Sequence, residues 1–162
     1  MAGEKTEPAA EVMRQHMEQS EESRHSRCIV CGRRNGQGLH VKFLVQPDGC
    51  VEATFPCDDV FQGFRGRLHG GVIAMLLDAA MTHCMFAHRM DGMTGELNVR
   101  YYHPVDTEEP ARIRAWIDQS THWLHLLRAE LAQHDVVKAV ASGKFIVNSP
   151  STVQKKGQAD RP

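Results

Sequence analysis

Residues 69–87 read His69-Gly70-Gly71-Val72-Ile73-Ala74-Met75-Leu76-Leu77-Asp78-Ala79-Ala80-Met81-Thr82-His83-Cys84-Met85-Phe86-Ala87, and the fold turns on this stretch. From Gly70 onward, Val72, Ile73, Met75, Leu76, Leu77, Ala79, Ala80 and Met81 make a helix apolar nearly all round. Such a helix has to be buried, so the remaining chain must wrap it. Upstream, residues 39–46 read as a strand and residues 50–55 as its returning partner. Between them stands Pro47-Asp48-Gly49, where proline presets φ and glycine accommodates a positive value. A glycine-containing loop, 56–68, leads into the helix, expected over 70–87. Downstream the period switches to two. Leu97, Val99 and Tyr101 alternate with Glu96, Asn98 and Arg100, and Ile113, Ala115 and Ile117 alternate with Arg112, Arg114 and Asp118. Trp123, His125, Leu127, Ala129 and Leu131 share one side of a third segment; Val137, Ala139, Ala141, Phe145 and Val147 share one side of a fourth. Pro104, Pro110, Ser120-Thr121 and His134-Asp135 mark the breaks. Two strands, one long helix and four strands, with no βαβ alternation and no repeat, predict an α+β architecture: an antiparallel sheet curled around one central helix.

At 162 residues the chain has room for one domain. Nineteen basic against twenty acidic residues give a net charge of −1, which argues against a nucleic-acid partner held through phosphates. The longest uninterrupted apolar run covers only 72–77, far short of the roughly 20 residues that span a bilayer. Glu4, Glu7 and Glu11 with no apolar stretch behind them do not form a secretory signal. Five cysteines, an odd number without an export signal, are expected to be reduced thiols in a cytoplasm. The expected division is a polar segment over 1–26, a domain over 27–147 and a disordered tail over 148–162. Within the first, residues 9–22 carry only Val12, Met13 and Met17 as strong apolar side chains, enough for a docking helix.

Asp78 is out of place in the apolar helix, because an ionised carboxylate without partners is costly to bury. It either meets an arginine or a loop as a structural ion, or acts as a catalytic carboxylate whose pKa burial sets. Its helical neighbours three, four and seven residues away are Gly71, Ala74, Met75, Met81 and Thr82, several of them small. Close approach from that side is therefore sterically open. His69-Gly70-Gly71 at the helix start exposes backbone N–H groups at the positive end of the dipole, a place that can hold an oxyanion.

Residues 61–81, Phe-Gln-Gly-Phe-Arg-Gly-Arg-Leu-His-Gly-Gly-Val-Ile-Ala-Met-Leu-Leu-Asp-Ala-Ala-Met, resemble the signature of hotdog-fold acyl-CoA thioesterases of the PaaI-like type. Residues 93–104, Met-Thr-Gly-Glu-Leu-Asn-Val-Arg-Tyr-Tyr-His-Pro, resemble that family's strand after the helix, and Cys28-Ile29-Val30-Cys31-Gly32 with Asn35, Gly38 and Leu39 is similar to the N-terminal segment of one branch. The resemblance covers about 28–147. It implies a hotdog fold and hydrolysis of an acyl-CoA thioester to free acid and coenzyme A, with CoA as part of the substrate and no other cofactor. Carried over, Asp78 matches the general base or nucleophile and Gly71 the N–H donor to the thioester carbonyl. His69 matches the residue shaping that turn, and Thr94 a hydroxyl positioning the attacking water. Gln62 and Gly70 stand beside them as substrate-binding residues. Many relatives have an acidic residue after the aspartate where this chain has Ala79. Strict alternation puts Thr94 on the Glu96/Asn98 side, so its role depends on where the strand begins and whether Gly95 bulges.

Gly71 and Asp78 are seven residues apart, roughly 10 Å along one helix. One thioester carbon cannot easily meet both within a single chain. Two helices antiparallel across a two-fold axis bring them together, which predicts a homodimer with shared sites, able to pair further into a tetramer. The alternative is a non-catalytic acyl-CoA-binding hotdog protein. A third reading is a zinc-bearing interaction module. Cys28-x-x-Cys31 has ligand spacing, but zinc wants four donors and His25, His40, Cys50 and Cys57 are scattered candidates, so no metal is expected. His122 and His125 fall on opposite strand faces, and His83 and His88 read as ordinary polar residues. Trp116 and Trp123 read as sheet packing or tunnel wall. Arg65, Arg67, Arg100, Arg112 and Arg114 are candidates for CoA phosphates, with solvated charge as the default.

Overall fold

In the computed structural model, which describes residues 7–147, the central helix α2 spans Gly70–Ala87 as its sequence requires. His69 caps it with extended backbone (φ −63°, ψ 134°) and a ring nitrogen that accepts from the Gly71 N–H. At the other end the His88 N–H returns to the Cys84 and Met85 carbonyls, and Arg89 turns the chain away at φ 59°.

Around α2 run β1 (Leu44–Val45), β2 (Val51–Phe55), β3 (Met93–Tyr101), β4 (Ala111–Ser120), β5 (Leu124–Gln133) and β6 (Val136–Ile146). All pairings are antiparallel, in the order β1-β2-β4-β5-β6-β3. The expected antiparallel sheet around one helix is what forms. Val51, Phe55, Ile113, Leu127, Leu131 and Phe145 from the sheet and Leu76, Leu77, Met81 and Met85 from α2 are all at most 1% exposed and form the core. Gly143 lets β6 close on the helix: a Cβ there would stand 3.1 Å from Met81 Sδ.

Two expectations about elements are corrected. Only Leu44–Val45 of the strand expected over 39–46 is a strand. The Leu39 and Val41 N–H groups donate to the Ile29 and Val30 carbonyls instead, and His40 takes φ 52°, so this stretch belongs to the loop before it. The hairpin turn itself is as read, with Gly49 at φ 82° and the Asp48 carboxylate accepting from the Cys50 N–H. Secondly, α2 is not covered all round. Gly71 is exposed and Ala74, Met75, Asp78 and Thr82 are half-buried, a stripe that the described residues cover only in part. By length and a hydropathy of 1.5 the helix could cross a membrane, yet it is mostly buried within the fold.

The first helix, α1 (Glu7–Arg24), lies against α2 and seats Met17, 2% exposed, in the core cluster, with Met13 beside it. Arg14 pairs with Glu11 and Glu18, both at 2.6 Å, on its outer face. The tail expected over 148–162 lies outside the described residues.

Candidate functional site

Asp78 sits on the open stripe of α2, and its Oδ1 accepts a 2.8 Å hydrogen bond from Thr94 Oγ1. What aims Thr94 there is a bulge. Thr94 pairs with Phe145 and Glu96 with Lys144, so Gly95 is the extra residue between two consecutive partners. Regular alternation would have sent Thr94 outward with Glu96. A side chain at Gly95 would meet Ile146 Cδ1 at 2.7 Å, so glycine suits the position. Thr82 Oγ1 donates to the Asp78 main-chain carbonyl at 3.0 Å, one turn along the same stripe.

The second cluster surrounds the start of α2. His69 Nδ1 accepts the Gly71 N–H at 2.9 Å, which requires a lone pair on Nδ1 and puts the neutral ring's proton on Nε2. The ring is slotted between two glycines: a Cβ at Gly71 would stand 3.0 Å from Nδ1, and one at Gly63 3.0 Å from Cδ2. The Gly71 N–H, expected to face a substrate carbonyl, is thus held by His69. Gln62 does not reach toward Asp78 but closes its own loop, its Oε1 accepting from the Gly66 N–H at 3.0 Å. Gly70 gives its carbonyl to Tyr101 Oη at 2.8 Å, with the tyrosine ring 3.6 Å from where its Cβ would be. Sequence reasoning placed Tyr101 on a strand face without a site role. Its position as the last inward residue of the Leu97–Val99–Tyr101 series was the available signal.

The chain therefore brings Asp78 to Thr94, and separately gathers His69, Gly71, Gly70, Gln62 and Tyr101. The two clusters lie on one helix, seven residues apart, roughly 10 Å along its axis. Of the five candidate arginines, Arg67 pairs with Asp106, Arg112 with Asp135 at 3.7 Å, and Arg114 with Asp48 and with Glu52, the last at 3.3 Å. Arg65 and Arg100 have no acidic partner among the described residues. Trp116 lines a groove on the sheet with Arg100, Tyr102 and Arg128, whereas Trp123 stands just before β5 and is 58% exposed. None of the five cysteines forms a disulfide, and burial pushes the Cys57 thiol up to about 11 and Cys84 to about 12. Of the scattered metal candidates only His25 joins Cys28 and Cys31; His40, Cys50 and Cys57 lie elsewhere. His83 is not an ordinary polar residue, being fully buried beneath α1.

Residues 65–140 match the family model of the thioesterase superfamily. The fold is similar to that of a solved thioesterase superfamily protein at 23% identity and TM-score 0.71, covering 90% of this chain and 80% of that one. It is similar to the PaaI protein of the phenylacetic acid degradation operon of E. coli at 13% identity and TM-score 0.73, covering 87% and 96%. It is also similar to a Streptococcus mutans protein solved with acetyl CoA bound, at 16% identity and TM-score 0.63, covering 67% and 89%. At these identities the likeness is one of fold. No curated protein matches the sequence.

Proposed function

Taking the chain as a hotdog-fold member of the thioesterase superfamily, we propose that it hydrolyses acyl-CoA thioesters to free acid and coenzyme A, in a reducing compartment such as the cytoplasm. The observation that carries this reading is the 2.8 Å bond from Thr94 to Asp78 on the open stripe of the core helix. Thr94 spends its proton on Oδ1 and keeps its oxygen lone pairs for the O–H of a water. Asp78 either takes a proton from that water or attacks the carbonyl carbon directly. The thioester oxygen, as it gains charge, replaces His69 on the Gly71 N–H, where the helix dipole favours an anion. The acetyl CoA held by the Streptococcus mutans neighbour supports CoA as the carrier group.

The partner that completes this arrangement is a second copy. β3 lies at the sheet edge with nearly every residue exposed, beside the partly covered stripe of Gly71, Ala74, Met75, Asp78 and Thr82. An open nine-residue edge strand is a template for pairing. Joining two chains there across a two-fold axis sets Gly71 of one near Asp78 of the other.

A panel of acyl-CoA esters, followed by thiol release, tests the activity. Wild type should cleave at least one class, and Asp78→Ala should lower kcat/KM by about 10²–10⁴-fold, the usual worth of a positioned general base. The capped Gly71 N–H favours the second reading, an acyl-CoA-binding protein without turnover. Tight binding of CoA esters with no thiol released by wild type decides for it.

A further inference from the structure

α1 ends at Arg24, and residues 25–32 then close a tight knuckle. The Gly32 N–H donates to the Cys28 carbonyl at 3.0 Å, and the Val30 N–H is directed at Cys28 Sγ at 3.4 Å. A side chain at residue 32 has no room, since its Cβ would stand 2.4 Å from Cys28 N and 2.7 Å from Cys28 O. His25 Nδ1 lies 3.9 Å from Cys31 Sγ, and the three donor atoms of His25, Cys28 and Cys31 all lie within 4.8 Å of one another. Donors on a tetrahedral zinc with bonds of about 2.0–2.3 Å are separated by roughly 3.3–3.8 Å, so the cluster has only a little to close.

A second, independent observation comes from the core helix. His83 is 0% exposed, and its Nδ1 lies 2.9 Å from the Ala79 carbonyl oxygen. That contact requires a proton on Nδ1 and leaves the lone pair of the neutral ring on Nε2. Nε2 has no hydrogen-bond partner, a costly state for a buried nitrogen. The ring is fixed by stacking on Phe43, with centroids 4.2 Å apart, and meets the His25 ring edge-on at 6.2 Å. A histidine that donates one nitrogen to a backbone carbonyl and leaves the other bare is oriented as metal-bound histidines are. The competing partner is Glu21, whose Oε2 is 3.8 Å from Nε2.

We propose that Cys28, Cys31 and His25 bind a zinc-class divalent ion, with His83 Nε2 as the fourth ligand, and that the ion fastens the end of α1 to the core helix. His83 lies outside the 4.8 Å set, so binding draws the knuckle inward onto it. The ion displaces two protons, forming two metal–thiolate bonds and two metal–imidazole bonds. Two thiolates balance the two positive charges, and a neutral centre suits a site under a helix. The proposal stands apart from the thioesterase reading.

Metal content of the full-length protein, purified under reducing conditions without chelator, tests it. The expected result is about one zinc per chain, with two of the five thiols shielded from a thiol reagent until a chelator strips the metal. Cobalt(II) added to the stripped protein should give tetrahedral visible bands with thiolate charge transfer. A Cys28→Ser/Cys31→Ser double variant should lose both, and His83→Gln should weaken zinc binding at least tenfold while keeping the charge transfer. Fewer than about 0.1 zinc per chain, with no uptake of added zinc by the reduced protein, overturns the site. Unchanged affinity in His83→Gln overturns His83 as the fourth ligand. Should the serine variant fail to fold, the stoichiometry and thiol count of the unaltered chain still decide.

Discussion

Thr94 and Asp78 come from different elements, and the single bond between them separates a positioning role from a packing one. Thr94→Val keeps the shape and removes the hydroxyl; it should lower kcat about tenfold to a hundredfold and leave KM within a few-fold, because the lost interaction acts on the reacting water. Thr94→Ser should recover most of kcat. A uniform loss in both variants, or a change confined to KM, would count against the role given to the hydroxyl. Asp78 was legible in the sequence because one carboxylate interrupts an apolar helix. Thr94 was reached through the family resemblance rather than the alternation, since a residue's side of a strand follows from counting by twos, and the bulge at Gly95 breaks the count. His83 was less legible still. Its burial depends on α1 lying over it, and nothing local to residues 79–87 announces that.

At the scale of elements, the span of the core helix was readable because its apolar pattern demands burial along most of its surface. The four later strands were readable for a similar reason, with inward positions alternating along each. The stretch 39–46 failed because its hydrogen bonds go to the cysteine knuckle rather than to a strand, a tertiary choice that overrides a β-like pattern. α1 shows how little apolar surface suffices: Met13 and Met17 hold it, and charge pairs occupy its outside. Strand β5 carries an element-scale prediction. His125 is 6% exposed, its Nδ1 is 2.7 Å from Ser120 Oγ, and burial holds its pKa below the ordinary 6.5. The unfolded chain therefore takes up a proton first as pH falls, so stability is fully present above about 6.5 and declines below it. The melting temperature should drop between pH 7.5 and 5.5, and His125→Gln should flatten that slope. A slope unchanged in the variant would assign the dependence to other groups.

For the whole molecule, the half-buried stripe of α2 and the exposed edge of β3 are the surfaces on which the proposed second copy would join. In the sequence, the proposed pairing rests on the seven residues that separate Gly71 from Asp78, roughly 10 Å along one helix. The seven-residue separation bears on how defects combine. Asp78→Asn and Gly71→Pro chains, each inactive alone, should recover about a quarter of wild-type activity when mixed and allowed to exchange subunits, since half the pairs are mixed and one of their two sites is intact. No recovery would rule out shared sites. A chain carrying both changes behaves otherwise. Paired with a normal chain it spoils one half of each site, leaving none whole. With equal amounts of normal chain, either lesion alone would leave about half of the sites whole, whereas the two on one chain would leave about a quarter.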